Sequence, residues 1–146
     1  MACVAIANEA VARAWIGLWN EHALDRLDDL LAPDYVHHTM SGQDLDSSGF
    51  RQGFAAVLDA FPELTYRIEH VIAAGDLVAA YVVADATHGG TYFGIPATGR
   101  KLTLRGSYHC RVVAGRIVED WDVFDLLTPL LRLGAEIRLA AVDADA

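Results

Sequence analysis

A histidine and two aspartates flank a tight turn near the end of the sequence: His109, then Ala114-Gly115, then Asp120 and Asp122. The runs on either side, Lys101 to Val113 and Arg116 to Phe124, alternate as strands do, so the turn predicts a hairpin. Pairing Val112 with Ile117 sets Ser107 opposite Asp122, His109 opposite Asp120 and Arg111 opposite Val118, and alternation puts all six on one face. The other face then carries Tyr108, Cys110, Val112, Ile117, Glu119, Trp121 and Val123. A histidine and carboxylates within reach of one another suit proton abstraction, in which one group takes the proton and another orients it or stabilises the developing oxyanion. The plainer reading of such alternation is a solvated strand face, and a bulge would exchange the two faces. Asp125 also follows the tryptophan, but its place at the strand end fits a cap or a surface position better.

His37 and His38 form a second polar pair, at the start of a polar loop expected from Tyr35 to Ser48. With His88 and Asp122 they show no metal-ligand spacing beyond their own adjacency, so no metal site is expected. Nucleotide-binding and nucleophile-elbow motifs are missing, and the glycine-rich HGGTYFGIPATG stretch contains Pro96 and lies between strands. The chemistry expected of an enzyme with this sequence is therefore acid/base chemistry without a cofactor.

Three helices are predicted before the strands. Val4, Val11, Trp15, Leu18 and Trp19 recur at helical spacing, as do Leu24, Leu27, Leu30 and Leu31 before Pro33. A third helix runs from about Gly49 to Phe61, capped by Ser47 or Ser48, with Phe50, Phe54, Val57, Leu58 and Phe61 as its stripe. After Pro62 the period changes to strands at Thr65 to Ala73, Leu77 to Thr87, Lys101 to Val113 and Arg116 to Phe124. A last helical segment is expected within Leu126 to Leu139. Helices followed by strands predict an α+β fold, with helices packed on one face of a curved antiparallel sheet.

The composition limits the partners. One core fits 146 residues, so a single domain over 1–146 is expected, with its core at about 5–134 and a tail at 135–146. Hydrophobic residues make up 53% of the chain and its mean hydropathy is +0.25, more apolar than an ordinary core requires. The longest uncharged apolar stretch, Leu77 to Ala84, is far too short to cross a bilayer. A net charge of −9 disfavours nucleic acid and anionic lipid. The start, MACVAIANEAVARAW, lacks a basic leader region and reads as a mature cytoplasmic N-terminus, with Cys3 and Cys110 as free thiols.

Ordered segments of the chain resemble the SnoaL-like polyketide cyclases: Trp19-Asn20-Glu21, APDYVHH at 32–38, AFPEL at 60–64, AGD at 74–76, THGGTYFGIPATGRKL at 87–102 and RVVAGRIVEDWDVFDLLTPLLRLG at 111–134. The resemblance implies a cone of the nuclear transport factor 2-like type, in which helices and a curved sheet enclose an apolar pocket. It also implies cofactor-independent intramolecular aldol closure of an aromatic polyketide ester, with Asp122 as acid/base and His109 as the histidine that hydrogen-bonds substrate. Trp19, His37, His38, Ser107 and Asp120 are the expected substrate-binding residues. The family often has a histidine where this chain has Asp120 and a polar amide near His37. Relatives of the same fold hydroxylate polyketides, isomerise ketosteroids, open epoxides, or only bind ligands and dimerise. Epoxide opening uses an Arg-x-Asp strand motif, and none occurs between residues 100 and 125. The expected partners are a small apolar or aromatic ligand and a second copy of the chain, in a homodimer or higher homo-oligomer formed through the sheet face carrying Trp121 and Val123.

Overall fold

A computed structural model describes residues 2–136 and 138. Helix α1, Ala2–Glu21, buries Ala12, Trp15, Ile16 and Leu18 on one stripe. It ends at His22, which takes the left-handed conformation (φ +54°) while Ala23 N–H reaches back to the Leu18 carbonyl. A 3₁₀ turn, Leu24–Arg26, and a single α-turn, α2 at Leu27–Leu30, follow. This is less regular than the one helix expected there. The chain then enters strand β1, Leu31–His38, and a two-residue strand β2, Asp44–Leu45. Helix α3 spans Ser47–Ala60. Its cap is Asp46, whose carboxylate accepts from Gly49 N–H at 2.8 Å, rather than either serine. Strands β3 (Thr65–Ala74), β4 (Leu77–Thr87), β5 (Lys101–Val113) and β6 (Arg116–Phe124) come next. Helix α4, Leu127–Leu133, lies within the segment expected to be helical and stops at Gly134, whose φ of +106° ends it. Most of the expected tail at 135–146 lies outside the described residues.

The six strands form one open sheet in the order β2-β1-β6-β5-β4-β3. All neighbours run antiparallel except β1 and β6, which are parallel. Two expectations are corrected here. The sheet is mixed rather than wholly antiparallel, and Tyr35–His38 is strand rather than loop. The polar character of Tyr35, His37 and His38 hid a strand whose inner residues, Tyr35 and His37, are nonetheless buried. Helix α1 lies against β3, β4 and β5, and α3 against β1. Trp15, Phe54 and Leu27 are almost fully buried between helices and sheet, each burial stabilising by about 1.5–3 kcal/mol.

The β5–β6 hairpin decides which side chains face this core. Its turn places Ala114 and Gly115 both at positive φ, the twist that a two-residue hairpin requires. Val112 pairs with Ile117, as the sequence predicts. One step further the register shifts, and Arg111 pairs with Glu119, leaving Val118 as an extra residue. From there His109 faces Trp121, Tyr108 faces Asp122 and Ser107 faces Val123. The bulge turns Asp120 and Asp122 inward with Tyr108 and Cys110, and turns His109 and Ser107 outward. The expected common face for His109, Ser107 and the two aspartates is therefore corrected. The cause is that Ile117 and Asp120, three residues apart on one strand, are both fully buried, which strict alternation does not allow.

Candidate active site

Between helices and inner sheet face lies a cavity of about 220 Å³. Its wall is mostly aromatic and aliphatic, with Trp15, Trp19, Phe50, Tyr66, Tyr108 and Phe124 among its residues. Trp19 meets Tyr66 edge-on at 5.5 Å, and Trp15 stacks on Tyr108 at 6.2 Å. Gly106 shapes one side: a Cβ there would lie 2.4 Å from the Phe124 ring and 2.5 Å from the Val123 carbonyl, so its lack of a side chain lets Phe124 lie across β5. Two carboxylates, Asp120 and Asp122, reach this wall, and no Lys, Arg or His is among its described residues.

Asp120 is fully buried. Tyr35 donates its hydroxyl hydrogen to Asp120 Oδ1 at 2.8 Å, and His37 Nδ1–H donates to the same oxygen at 2.7 Å. Strand alternation places Tyr35 and His37 on the inner side of β1, and the parallel register sets His37 beside Asp120. His37 is packed edge-on against Phe50 at 5.0 Å. Burial alone would lower its pKa, but the hydrogen bond to Asp120 and the nearby negative charges outweigh this and raise it. The raised pKa favours the protonated imidazole of His37, which is held on the Asp120 side chain at one end of the cavity. Asp122 lies two residues further along the same face of β6. Burial raises its pKa above the usual carboxylate value; the charge on His37 opposes that rise and the charge on Asp120 adds to it. A carboxylate so placed accepts a proton more readily than a solvated one and does so away from bulk water.

Of the residues singled out in the sequence, the fold gathers Trp19, His37, Asp120 and Asp122 at or behind one cavity. His38, Ser107 and His109 lie on the opposite face of the sheet. His38 alternates outward from His37, stacks on Trp121 at 4.9 Å, and bonds Asp44 through Nδ1 (2.8 Å) and Glu119 through Nε2 (3.2 Å). Glu119 continues to Arg111 at 2.6 Å, and Arg111 to Asp76 at 2.7 Å. His109 is exposed beside a shallow apolar groove formed with Ile72, Leu77 and Ala79. Asp125 accepts from Thr128 N–H at 3.0 Å at the start of α4, which fits its reading as a capping residue. The residues missed are Tyr35, Tyr66 and Tyr108. Tyr35 was detectable, because it lies two positions before His37 and so shares its face of any strand.

Residues 9–133 match the family model for the SnoaL-like polyketide cyclases. The chain belongs to that family. Among solved structures, this SnoaL-like chain is similar to AclR from Streptomyces galilaeus, a candidate hydroxylase, with 28% identity, a TM-score of 0.83, and coverage of 89% of this chain and 97% of that one. It is also similar to IdmH from Streptomyces antibioticus, a candidate polyketide cyclase, with 31% identity, a TM-score of 0.80, and coverage of 88% and 99%. A SnoaL-like protein from Jannaschia sp. CCS1 shares the fold at 18% identity, with a TM-score of 0.81 and coverage of 92% and 96%. No curated protein sequence matches the chain. Among the described residues no cluster of three or more metal-ligating side chains occurs, and no helix is long and apolar enough to cross a membrane.

Proposed function

We propose that this SnoaL-like chain is an acid/base enzyme that closes a ring in an aromatic polyketide ester by intramolecular aldol addition, with Asp122 transferring the proton and no cofactor taking part. The observation that carries this reading is the position of Asp122: a carboxylate whose pKa is raised by burial, at the wall of a cavity lined mostly by aromatic and aliphatic side chains. The aromatic wall would hold a flat ligand by stacking. Asp122 removes a proton from a carbon between two carbonyl groups. The resulting enolate attacks a ketone carbon of the same molecule, forming the new carbon–carbon bond, and the alkoxide so made takes a proton back. Ring closure needs the chain of the substrate folded on itself, which a concave cavity favours by reducing the entropy still to be lost on reaching the reactive geometry. His109 has no part in this mechanism, because the sheet lies between it and Asp122.

Replacing Asp122 by Asn keeps the shape and removes the base. Turnover of an aromatic polyketide ester, followed by mass-resolved chromatography, is expected to fall about 10²–10⁴-fold with the fold intact. Turnover equal to that of the wild type would remove Asp122 from the mechanism. The similarity to AclR favours one second reading, in which the same carbanion adds to dioxygen, the external oxidant, and is protonated to a hydroperoxide instead of closing a ring. The mass of the product separates the two outcomes, since an aldol closure is isomeric with its substrate.

The same reading includes a single domain over 1–146, a cytoplasmic protein with a small aromatic ligand, and two copies paired through the outer sheet face. Exposed Ile72, Leu77 and Val123 on that face support the pairing.

A further inference from the structure

Three buried side-chain polar atoms among the described residues have no hydrogen-bond partner: Asp120 Oδ2, the Tyr108 hydroxyl and His88 Nε2. His88 lies against Phe61 and Thr98 and does not line the cavity, whereas Asp120 and Tyr108 both do. Folded proteins rarely leave buried polar atoms unpaired, and two on one cavity wall mark places where a ligand can supply the partner.

The chemistry of that partner follows from what already binds Asp120. His37 and Tyr35 both donate to Oδ1, which holds the side chain in one orientation and leaves Oδ2 free. A carboxylate oxygen only accepts, so its missing partner has to carry a hydrogen. Tyr108 pairs with Asp122 and Cys110 with Asp120, which places the Tyr108 phenol one diagonal step from Asp120 on the same inner face. A phenol can donate or accept.

We infer that Asp120 and Tyr108 form a hydroxyl-reading subsite, in which a phenolic or enolic O–H of an aromatic ligand donates to Asp120 Oδ2 and the Tyr108 hydroxyl bonds an oxygen beside it. The inference rests on the cavity being the ligand site, as proposed above, and gives Asp120 a binding role separate from proton transfer at Asp122. The subsite discriminates against methylated ligands, because an O-methyl group removes the donor and adds bulk where Oδ2 waits.

Titration of the full chain with 2-naphthol and with 2-methoxynaphthalene, read by tryptophan fluorescence, tests this directly. The two probes differ only in the hydrogen that the subsite requires. The wild type is expected to bind the naphthol at least about tenfold more tightly. Asp120→Asn turns the free acceptor into an N–H donor, and the preference should vanish or reverse in favour of the ether. Tyr108→Phe removes a hydroxyl with no internal partner, so it should weaken naphthol binding severalfold while its melting temperature stays close to that of the wild type. Equal affinities for the two probes in the wild type, as when a trapped water already occupies the subsite, overturn the inference. So does a naphthol preference that survives Asp120→Asn. Should that variant not fold, an undiminished preference in Tyr108→Phe decides against the subsite. The outcome is independent of turnover in Asp122→Asn, so failure of the subsite and failure of the catalytic reading are told apart.

Discussion

At Asp122 the fold carries a carboxylate whose ionised form burial disfavours. Its raised pKa means that the folded state holds the proton more tightly than the unfolded chain does. That contribution to stability is complete below the ordinary aspartate pKa and is lost as pH rises through the raised value. Near neutral pH the ionised side chain therefore weighs against folding, and Asp122→Asn is expected to melt a few degrees higher than the wild type at about pH 7.5, with the gain vanishing towards about pH 4. Differential scanning calorimetry across that range checks it; no gain at neutral pH would mean a solvated carboxylate. His37 behaves with the same sign through a different cause, its bond to Asp120. Its contribution is present below about pH 6.5 and lost as pH rises through its raised value. Urea denaturation should show the wild type losing stability as pH rises above about 6.5 and His37→Gln losing much less. His38→Gln serves as the control. His38 is also raised, through Asp44 first and Glu119 next, but on an open surface where solvent screens the pair.

The hairpin of β5 and β6 shows how a single residue sets the inward face of a strand. Its existence, its turn and the Val112–Ile117 pairing were all legible in the sequence, as were the α+β order and the helix stripes. The bulge at Val118 was not, because alternation within six residues on one side of a turn carries no record of an inserted position. A clue was present in the need to bury both Ile117 and whichever of Asp120 or Trp121 faced inward, but only the packed core makes that choice. The parallel placement of β1 beside β6 was hidden for another reason, since it joins segments far apart in sequence and β1 has polar residues on both sides. Tyr108 has no role in the sequence reading because strict alternation sets it on the face opposite His109 and the two aspartates. At the level of packing, Gly106→Ala forces Phe124 aside and is expected to cost about 1–3 kcal/mol, read as a clear drop in melting temperature. A small drop accompanied by altered naphthol binding would show that Phe124 yields into the cavity. Asp46→Ala removes the cap of α3 and should cost about 1 kcal/mol without touching the cavity wall.

On the scale of the molecule, the outer sheet face differs from the inner one in kind. A chain of charges crosses it from Asp44 through His38, which stacks on Trp121, to Glu119, Arg111 and Asp76, and Ile72, Leu77, Val113 and Val123 are exposed on the same face. Pairing of two copies through this face predicts a dimer at micromolar concentration in light scattering coupled to size exclusion, and Val123→Lys together with Ile72→Lys should shift it to the monomer. A wild-type monomer under those conditions refutes the pairing. The β1–β6 contact has a further consequence, one of time rather than place. Residues 31–38 meet residues 116–124 across most of the chain, so this pairing closes the longest loop in the sheet and is expected late in folding. Until it closes, Asp120 has neither His37 nor Tyr35, and the cavity lacks its polar end. During synthesis the helices and the middle strands can collapse early, while the site waits for nearly the whole chain to emerge. Substitutions at Tyr35 or His37 should accordingly speed unfolding and leave the folding rate nearly unchanged.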